Sequence, residues 1–206
     1  MKIEPVTLEG PQVRLEPLSL ERHFDDLCRV GLDQDLWCWS TVDVRSPGDL
    51  RSYLESALQE RAEGRALPFA TVARAAGRAV GSTRFGSIAV PHRRVEIGWT
   101  WIGRGWQRSA INTEAKYLML RHAFETWGCL RVELKTDALN RRSRDAMLRI
   151  GCREEGTLRK HMLTERGTVR DSVCYSIVDE EWPAVRARLE EMMRREYPPA
   201  TSAFAR

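Results

Sequence analysis

A short polar segment, Gly105–Asn112 (GWQRSAIN), runs straight into an apolar stretch at helical spacing that continues to Glu125. Gln107, Arg108, Ser109 and Asn112 therefore stand at the mouth of a helix. The first backbone N–H groups there lack intrahelical acceptors, and the helix dipole gathers partial positive charge. Small residues such as Ser109 and Ala110 let a ligand come close to the backbone, and Arg108 adds a full charge. Such a mouth can hold a phosphate or pyrophosphate, or it can be no more than the polar cap of a core helix.

Other side chains could move protons. Glu96, within RVEIGWTWI, is a strand carboxylate that either takes a proton or pairs with Arg84 or Arg94. His161, in LRKHM, offers an imidazole suited to neutral pH. Trp37, Trp39, Trp99 and Trp101 could wall a pocket, although tryptophan at these spacings also fills cores. Trp37 and Trp39 lie in a polar loop beside Asp33 and Asp35, acids that could attract a cationic amine.

The elements that must position these groups follow from periodicity and caps. VRLEPL (Val13–Leu18) alternates like a half-buried strand, and Ser19 caps a helix with Leu20, Phe24, Leu27 and Cys28 on one face. Ser46-Pro47 opens a second helix that Gly64 closes. Strand-like runs follow at 68–74, 79–88 and 94–102, with a hairpin turn at 75–78. The helix at about 112–127 precedes a strand at 130–137. Asn140 then caps a helix that Gly151 ends, and a strand at 169–178 leads into a charged C-terminal helix. This order predicts one α+β domain over 1–196 around a mixed, mostly antiparallel sheet flanked by helices, with a loose tail over 197–206.

Composition narrows the function. The chain has 206 residues, 42% hydrophobic and 30% charged, with a net charge of +4 and mixed signs. That is no dense basic stripe, so a dedicated nucleic-acid binder is not expected. No apolar run approaches the ~20 residues of a membrane span, and a cytoplasmic protein is the expectation. Five cysteines and four histidines are dispersed, which predicts reduced, packed thiols and no metal site.

The segment Gln107-Arg108-Ser109-Ala110-Ile111-Asn112, followed by Thr113–Ala115, resembles the acetyl-CoA motif Q/R-x-x-G-x-G/A of the GCN5-related N-acetyltransferases, the GNAT superfamily. Ala110 stands where the first glycine is usual and Asn112 where the second glycine or alanine is. Residues Asp137–His161 resemble the second half of RimJ/RimL-type members, with Asn140 and Ser143 in N-x-x-S, then Gly151, Glu154 or Glu155, and Gly156. TLEGPQVRLEPLSLE and VRDSVCYSIVDEEW extend the likeness over nearly the whole chain.

The resemblance implies a sheet splayed between two parallel strands to admit pantetheine, and amides of residues 107–113 on the CoA pyrophosphate. Asn140 would bond the pantetheine amides, with Ser143 one turn on. Backbone amides around Trp101, Ile102 and Gly103 would polarise the thioester carbonyl. Glu96, eleven residues ahead of Gln107, would be the base, with His161 its rival. Tyr175 or Ser143 would protonate the thiolate, and Trp37, Trp39 and Trp99 would line the acceptor side. The implied reaction moves acetyl from acetyl-CoA to a primary amine (a protein N-terminus, a lysine or a small amine) by direct attack in a ternary complex. A CoA-binding regulatory module without catalysis is the alternative, as is transfer of another acyl group such as succinyl, which basic side chains around the acyl tip would mark. The late strand and last helix carry apolar positions that would suit a homodimer.

Overall fold

Ser19 and Ser46 each end an extended stretch and start a helix. The Ser19 hydroxyl accepts from the Arg22 amide ahead of α1 (Leu20–Gly31), and Ser46 forms a reciprocal capping box with Asp49 ahead of α2 (Pro47–Ala62). The computed structural model describes residues 1–194; the expected tail over 197–206 lies outside them. Strands β1 (Leu8–Glu9), β2 (Val13–Pro17), β3 (Leu67–Ala73), β4 (Arg78–Ala89) and β5 (Arg94–Ile102) pair antiparallel in chain order. Helix α3 (Ala110–Arg121) then crosses to β6 (Arg131–Asp137), and α4 (Arg141–Ile150) leads to the hairpin of β7 (Arg153–Leu163) and β8 (Val169–Val178). Helix α5 (Trp182–Arg194) closes the described chain, and the sheet order is β1-β2-β3-β4-β5-β6-β8-β7.

Two cores hold the sheet between its helices. Leu27, Trp37, Leu50, Leu54 and Trp101 form one with α1 and α2; Val95, Ile97, Met119, Val132, Leu134, Tyr175 and Ile177 form the other with α3, α4 and α5. Glu114 fastens α3 to β2, its Oε2 accepting the amides of Gln12 (2.8 Å) and Val13 (2.6 Å). The expected α+β class and mixed sheet are present, with β5 and β6 the single parallel pair among the described residues.

Three details depart from the sequence reading. Helix α3 starts at Ala110, and its last turn widens into a π-turn over His122–Thr126. Strand β1 is only two residues long, too short for a periodic signal. Strand β7 was not anticipated, because REEGTLRKHML is exposed along its whole length and shows no apolar alternation. It is an edge strand, and a charged edge resists pairing with other chains.

The tip of the β7–β8 hairpin reaches back over the loop that follows α1. Arg166 donates to the carbonyls of Trp37 (2.6 Å), Cys38 (3.1 Å) and Ser40 (3.2 Å) and pairs with Asp43 (3.1 Å). The Glu165 amide donates to Thr41, and the Glu165 carboxylate accepts from the Asp43 amide. Arg166→Ala should cost about 1–3 kcal/mol in denaturant unfolding. It should also speed amide exchange in residues 37–43 together with 165–168. Unchanged protection in 37–43 would show that something else pins that loop.

Candidate active site

The sheet opens at one seam. Parallel pairing of β5 with β6 runs only from Arg94–Arg131 to Glu96–Glu133, and beyond it Ile97–Ile102 and Leu134–Asp137 have no register across the seam. A bulge turns β5 away. Gly98 lies opposite Arg84 and Trp101 opposite Ser82, so Trp99 and Thr100 face the single residue Thr83. Trp99 takes the left-handed conformation, φ 50°. Its indole lies where a side chain on Gly86 would be, and the Arg84 guanidinium covers the ring at 4.7 Å.

The polar helix mouth stands at the open end of this seam. Gln107 is extended, Arg108 is left-handed (φ 57°), and Ser109 is the N-cap. The Ser109 hydroxyl accepts from the Ile111 amide, which leaves the amides of Ala110 and Asn112 in the first turn without helical acceptors. The Asn112 Oδ1 is buried and has no partner among the described residues. A buried acceptor without a donor costs about 1–3 kcal/mol, a cost that a donor from a water or a ligand would lift. Gln107 is a strut: its Nε2 donates to the Ile102 carbonyl (2.8 Å) and its Oε1 accepts from Arg142 (2.9 Å). Arg142, from the first turn of α4, thereby adds a second cation beside Arg108. Its separation of 34 residues from Arg108 hid it from sequence reading. Ile111 and Thr113 are buried, and Thr113 meets Arg149 of α4 at 3.5 Å.

Of the three amides expected at the reacting carbonyl, the Gly103 N–H is spent on the Val80 carbonyl (2.8 Å). Strand alternation turns Trp101 the same way, toward β4, and turns Ile102 toward the seam.

Glu96 sits at the last paired rung. Its Oε2 accepts from Ser87 Oγ (3.0 Å) and from Lys135 Nζ (2.8 Å), whereas Arg84 pairs with Glu60 and Arg94 with Glu133. Burial pulls the Lys135 pKa down, but the Glu96 bond and the charges of Glu96 and Glu133 outweigh it, and the net direction is up. The other carboxylate oxygen lies beside Gly98, where any side chain would crowd it. Ser172, fully buried on β8, accepts from Arg170 Nε (3.1 Å) and lies 3.0 Å from His161 Nδ1. Asp137 pairs in register with Ser172, so these groups share the face that carries Glu96 and Lys135.

The other predicted residues have the following surroundings. Trp37 is core, 2% exposed, its indole donating to Gly31, whereas Trp39 (40%) and Trp99 (39%) reach solvent. Asp33 and Asp35 are tied to Arg104. Asn140 caps α4, its Oδ1 accepting from the Ser143 amide (3.0 Å). Tyr175 lies on the helix-covered face, donating to Glu154 (3.0 Å) and accepting from Arg144 (3.2 Å). Burial pushes its pKa up, and Glu154 adds to this.

Residues 12–153 match the acetyltransferase (GNAT) domain family. The chain belongs to the GNAT acetyltransferase family. Its sequence is 32% identical over 99 residues to an uncharacterized N-acetyltransferase of Bacillus subtilis (strain 168), YoaA, covering 48% of this chain and 55% of that protein. The chain thus spans about half the length of that relative. A GCN5-related N-acetyltransferase from Brucella melitensis superposes with TM-score 0.87 at 29% identity, covering 94% of this chain and 87% of that one. Mycobacterium smegmatis RimJ, solved in complex with CoA-disulfide, superposes with TM-score 0.78 at 26% identity over 94% and 98% of the two chains.

Within this GNAT fold a second group, besides Arg142, is not legible in the sequence. Lys116 of α3 is 7% exposed, its Nζ 2.6 Å from Thr100 Oγ1 and 3.5 Å from Thr83 Oγ1, directly behind the bulge. Burial pulls its pKa down to about 7, with a small opposing pull from Cys152. An unfolded lysine titrates near 10.4, so between about 7 and 10 the unfolded chain holds a proton that the folded chain lacks, and stability rises with pH. Lys116→Met should raise stability at pH 7. The stability difference between variant and wild type should shrink by up to about 1.4 kcal/mol per pH unit across that window. A pH-independent difference in parallel denaturation series would mean that the ammonium stays charged inside the fold.

Proposed function

We propose that this GNAT protein transfers an acyl group, acetyl in the first instance, from a CoA thioester to a primary amine by direct attack. The observation that carries the reading is the open seam running from an amide-lined helix mouth to a buried, oriented carboxylate. The amides of Ala110 and Asn112, with Arg108 and Arg142, suit the pyrophosphate. The unpaired edges of β5 and β6 suit pantetheine, whose amides can pair with them as a strand would, and Asn112 Oδ1 accepts one ligand N–H.

Ile102, the amide turned into the seam, polarises the thioester carbonyl. Glu96 takes the ammonium proton of the acceptor through a water at its free oxygen, so that a neutral amine attacks. Ser87 and Lys135 hold the other oxygen and fix the carboxylate's direction. Ser143, whose hydroxyl has no partner among the described residues, returns a proton to the departing thiolate. Tyr175 is set aside for that role because its hydroxyl is engaged by Glu154 and Arg144 on the far face. His161 and the exposed Trp39 and Trp99 belong to the acceptor side.

Calorimetric titration with acetyl-CoA should give micromolar binding, about −8 kcal/mol. Gln107→Ala and Arg108→Ala should each weaken it about tenfold, in line with the loss of a charge-assisted or strut hydrogen bond. No heat at millimolar cofactor would sink the transferase reading. Glu96→Gln should leave that affinity in place and lower kcat/KM for an amine by about 10²–10⁴-fold at neutral pH. An unchanged rate would remove Glu96 from the reaction.

A further inference from the structure

Several buried or half-buried arginines are paired with acids, among them Arg84 with Glu60, Arg131 with Glu155, Arg144 with Glu154 and Arg166 with Asp43. Arg170, like Arg61, Arg78 and Arg121, has no acid partner among the described residues, but it stands on the face of the sheet that carries Glu96 and Lys135. Half-buried on β8, it spends its Nε on Ser172 Oγ (3.1 Å), and no carboxylate among the described residues lies within ion-pair distance of it. Asp137 and Glu96 are near enough for their charges to be felt at the guanidinium, yet burial outweighs them and its pKa is lowered. A desolvated cation with an open terminal edge is costly unless something anionic completes it.

Its position says what that anion is near. Ser172 is fully buried and pairs in register with Asp137, the last residue of β6. By reaching back to Ser172, Arg170 holds its guanidinium over the rung where β6 ends. Strand β6 is one strand spacing, roughly 5 Å, from β8, and the seam opens along its other edge. The two terminal nitrogens form a planar fork that matches a carboxylate in two-point geometry. His161, 3.0 Å from the same Ser172 hydroxyl, walls the other side.

We propose that Arg170, oriented by Ser172, is a subsite for a carboxylate carried by one of the two reacting molecules. This rests on the transferase reading above. The carboxylate belongs either to the acceptor, which is then an amine bearing an acid nearby, or to the acyl group, which is then a dicarboxylic half-thioester such as succinyl. Both place the same anion at the same fork.

Two kinetic arms separate the sources, each run with the wild type, Arg170→Gln and Arg170→Lys. The first uses acetyl-CoA with matched acceptors: amino acids and acidic-second-residue dipeptides against their amides. The second uses a carboxylate-free amine with acetyl-CoA against succinyl-CoA. The wild type should prefer the carboxylated member of one arm by about tenfold or more, expressed in KM, as expected of one charge-assisted pair. Arg170→Gln should erase that preference while leaving kcat and CoA affinity in place, and Arg170→Lys should keep part of it. The arm that responds names the carrier. Equal use of both members in both arms, or a preference that survives in Arg170→Gln, overturns the proposal.

The subsite can also be read without turnover. Succinate should shift the Arg170 Nε–Hε NMR signal saturably, and a flat titration counts against the subsite. Failure of acetyl-CoA to bind in calorimetry counts against the transferase reading alone.

Discussion

Backbone N–H and C=O groups withdrawn from water must be paired, and the seam between β5 and β6 is where this chain leaves a row of them open. The fold survives because each strand keeps its other neighbour. Strand β5 stays paired to β4 as far as Ile102, and β6 stays paired to β8 over its whole length, Arg131–Asp137. Opening the seam thus costs one edge of each strand and neither strand's place in the sheet. The groups exposed by that opening are the ones an extended amide-bearing ligand can satisfy. A continuous parallel pair would be more stable on its own and would have nowhere to put such a ligand.

What keeps the seam open is held from both sides of the bulge. In front, the Trp99 indole lies on Gly86 under the Arg84 guanidinium, and Arg84 is anchored to α2 through Glu60. Behind, Thr100 and Thr83 share a 2.7 Å contact and meet the buried Lys116 amine. A left-handed non-glycine residue costs on the order of 1–3 kcal/mol. Packing over the indole and a closed polar cluster under the bulge over-determine that conformation. Behind the bulge, Lys116 achieves with a polar side chain what a methionine could achieve more cheaply by packing.

Local chemistry made much of this legible from sequence. Ser19, Ser46, Asn140 and Gly151 marked helix ends because capping is decided by the few residues at the end itself. The loop of 107–113 could be read for the same reason. Glu96 was legible as a strand carboxylate, but its partner was not. Lys135 is 39 residues away and meets it only because β5 and β6 are parallel neighbours at that rung. The β7 strand was invisible because an edge strand with two wet faces has no burial to impress on its sequence. Trp37 misled for the opposite reason: polar neighbours suggested exposure, while the indole turns inward against Tyr53 and Trp101 and donates to the Gly31 carbonyl.

Strand β8 ties these themes together through alternation. Its residues Val173, Tyr175 and Ile177 belong to the helix-covered core, and Arg170, Ser172, Cys174 and Ser176 lie on the opposite, polar face. A slip of β8 by one residue against β6 would carry the Arg170 guanidinium and the Ser172 hydroxyl into that core and bring Tyr175 out to the polar face. Turning the guanidinium and the hydroxyl toward the helix-covered face, beside Val173, costs several kcal/mol. The polar face that would recognise an acceptor is therefore also a register lock. Residues of this polar face are among those that make the sheet adopt the one alignment in which the seam, the bulge and Glu96 fall at the same end.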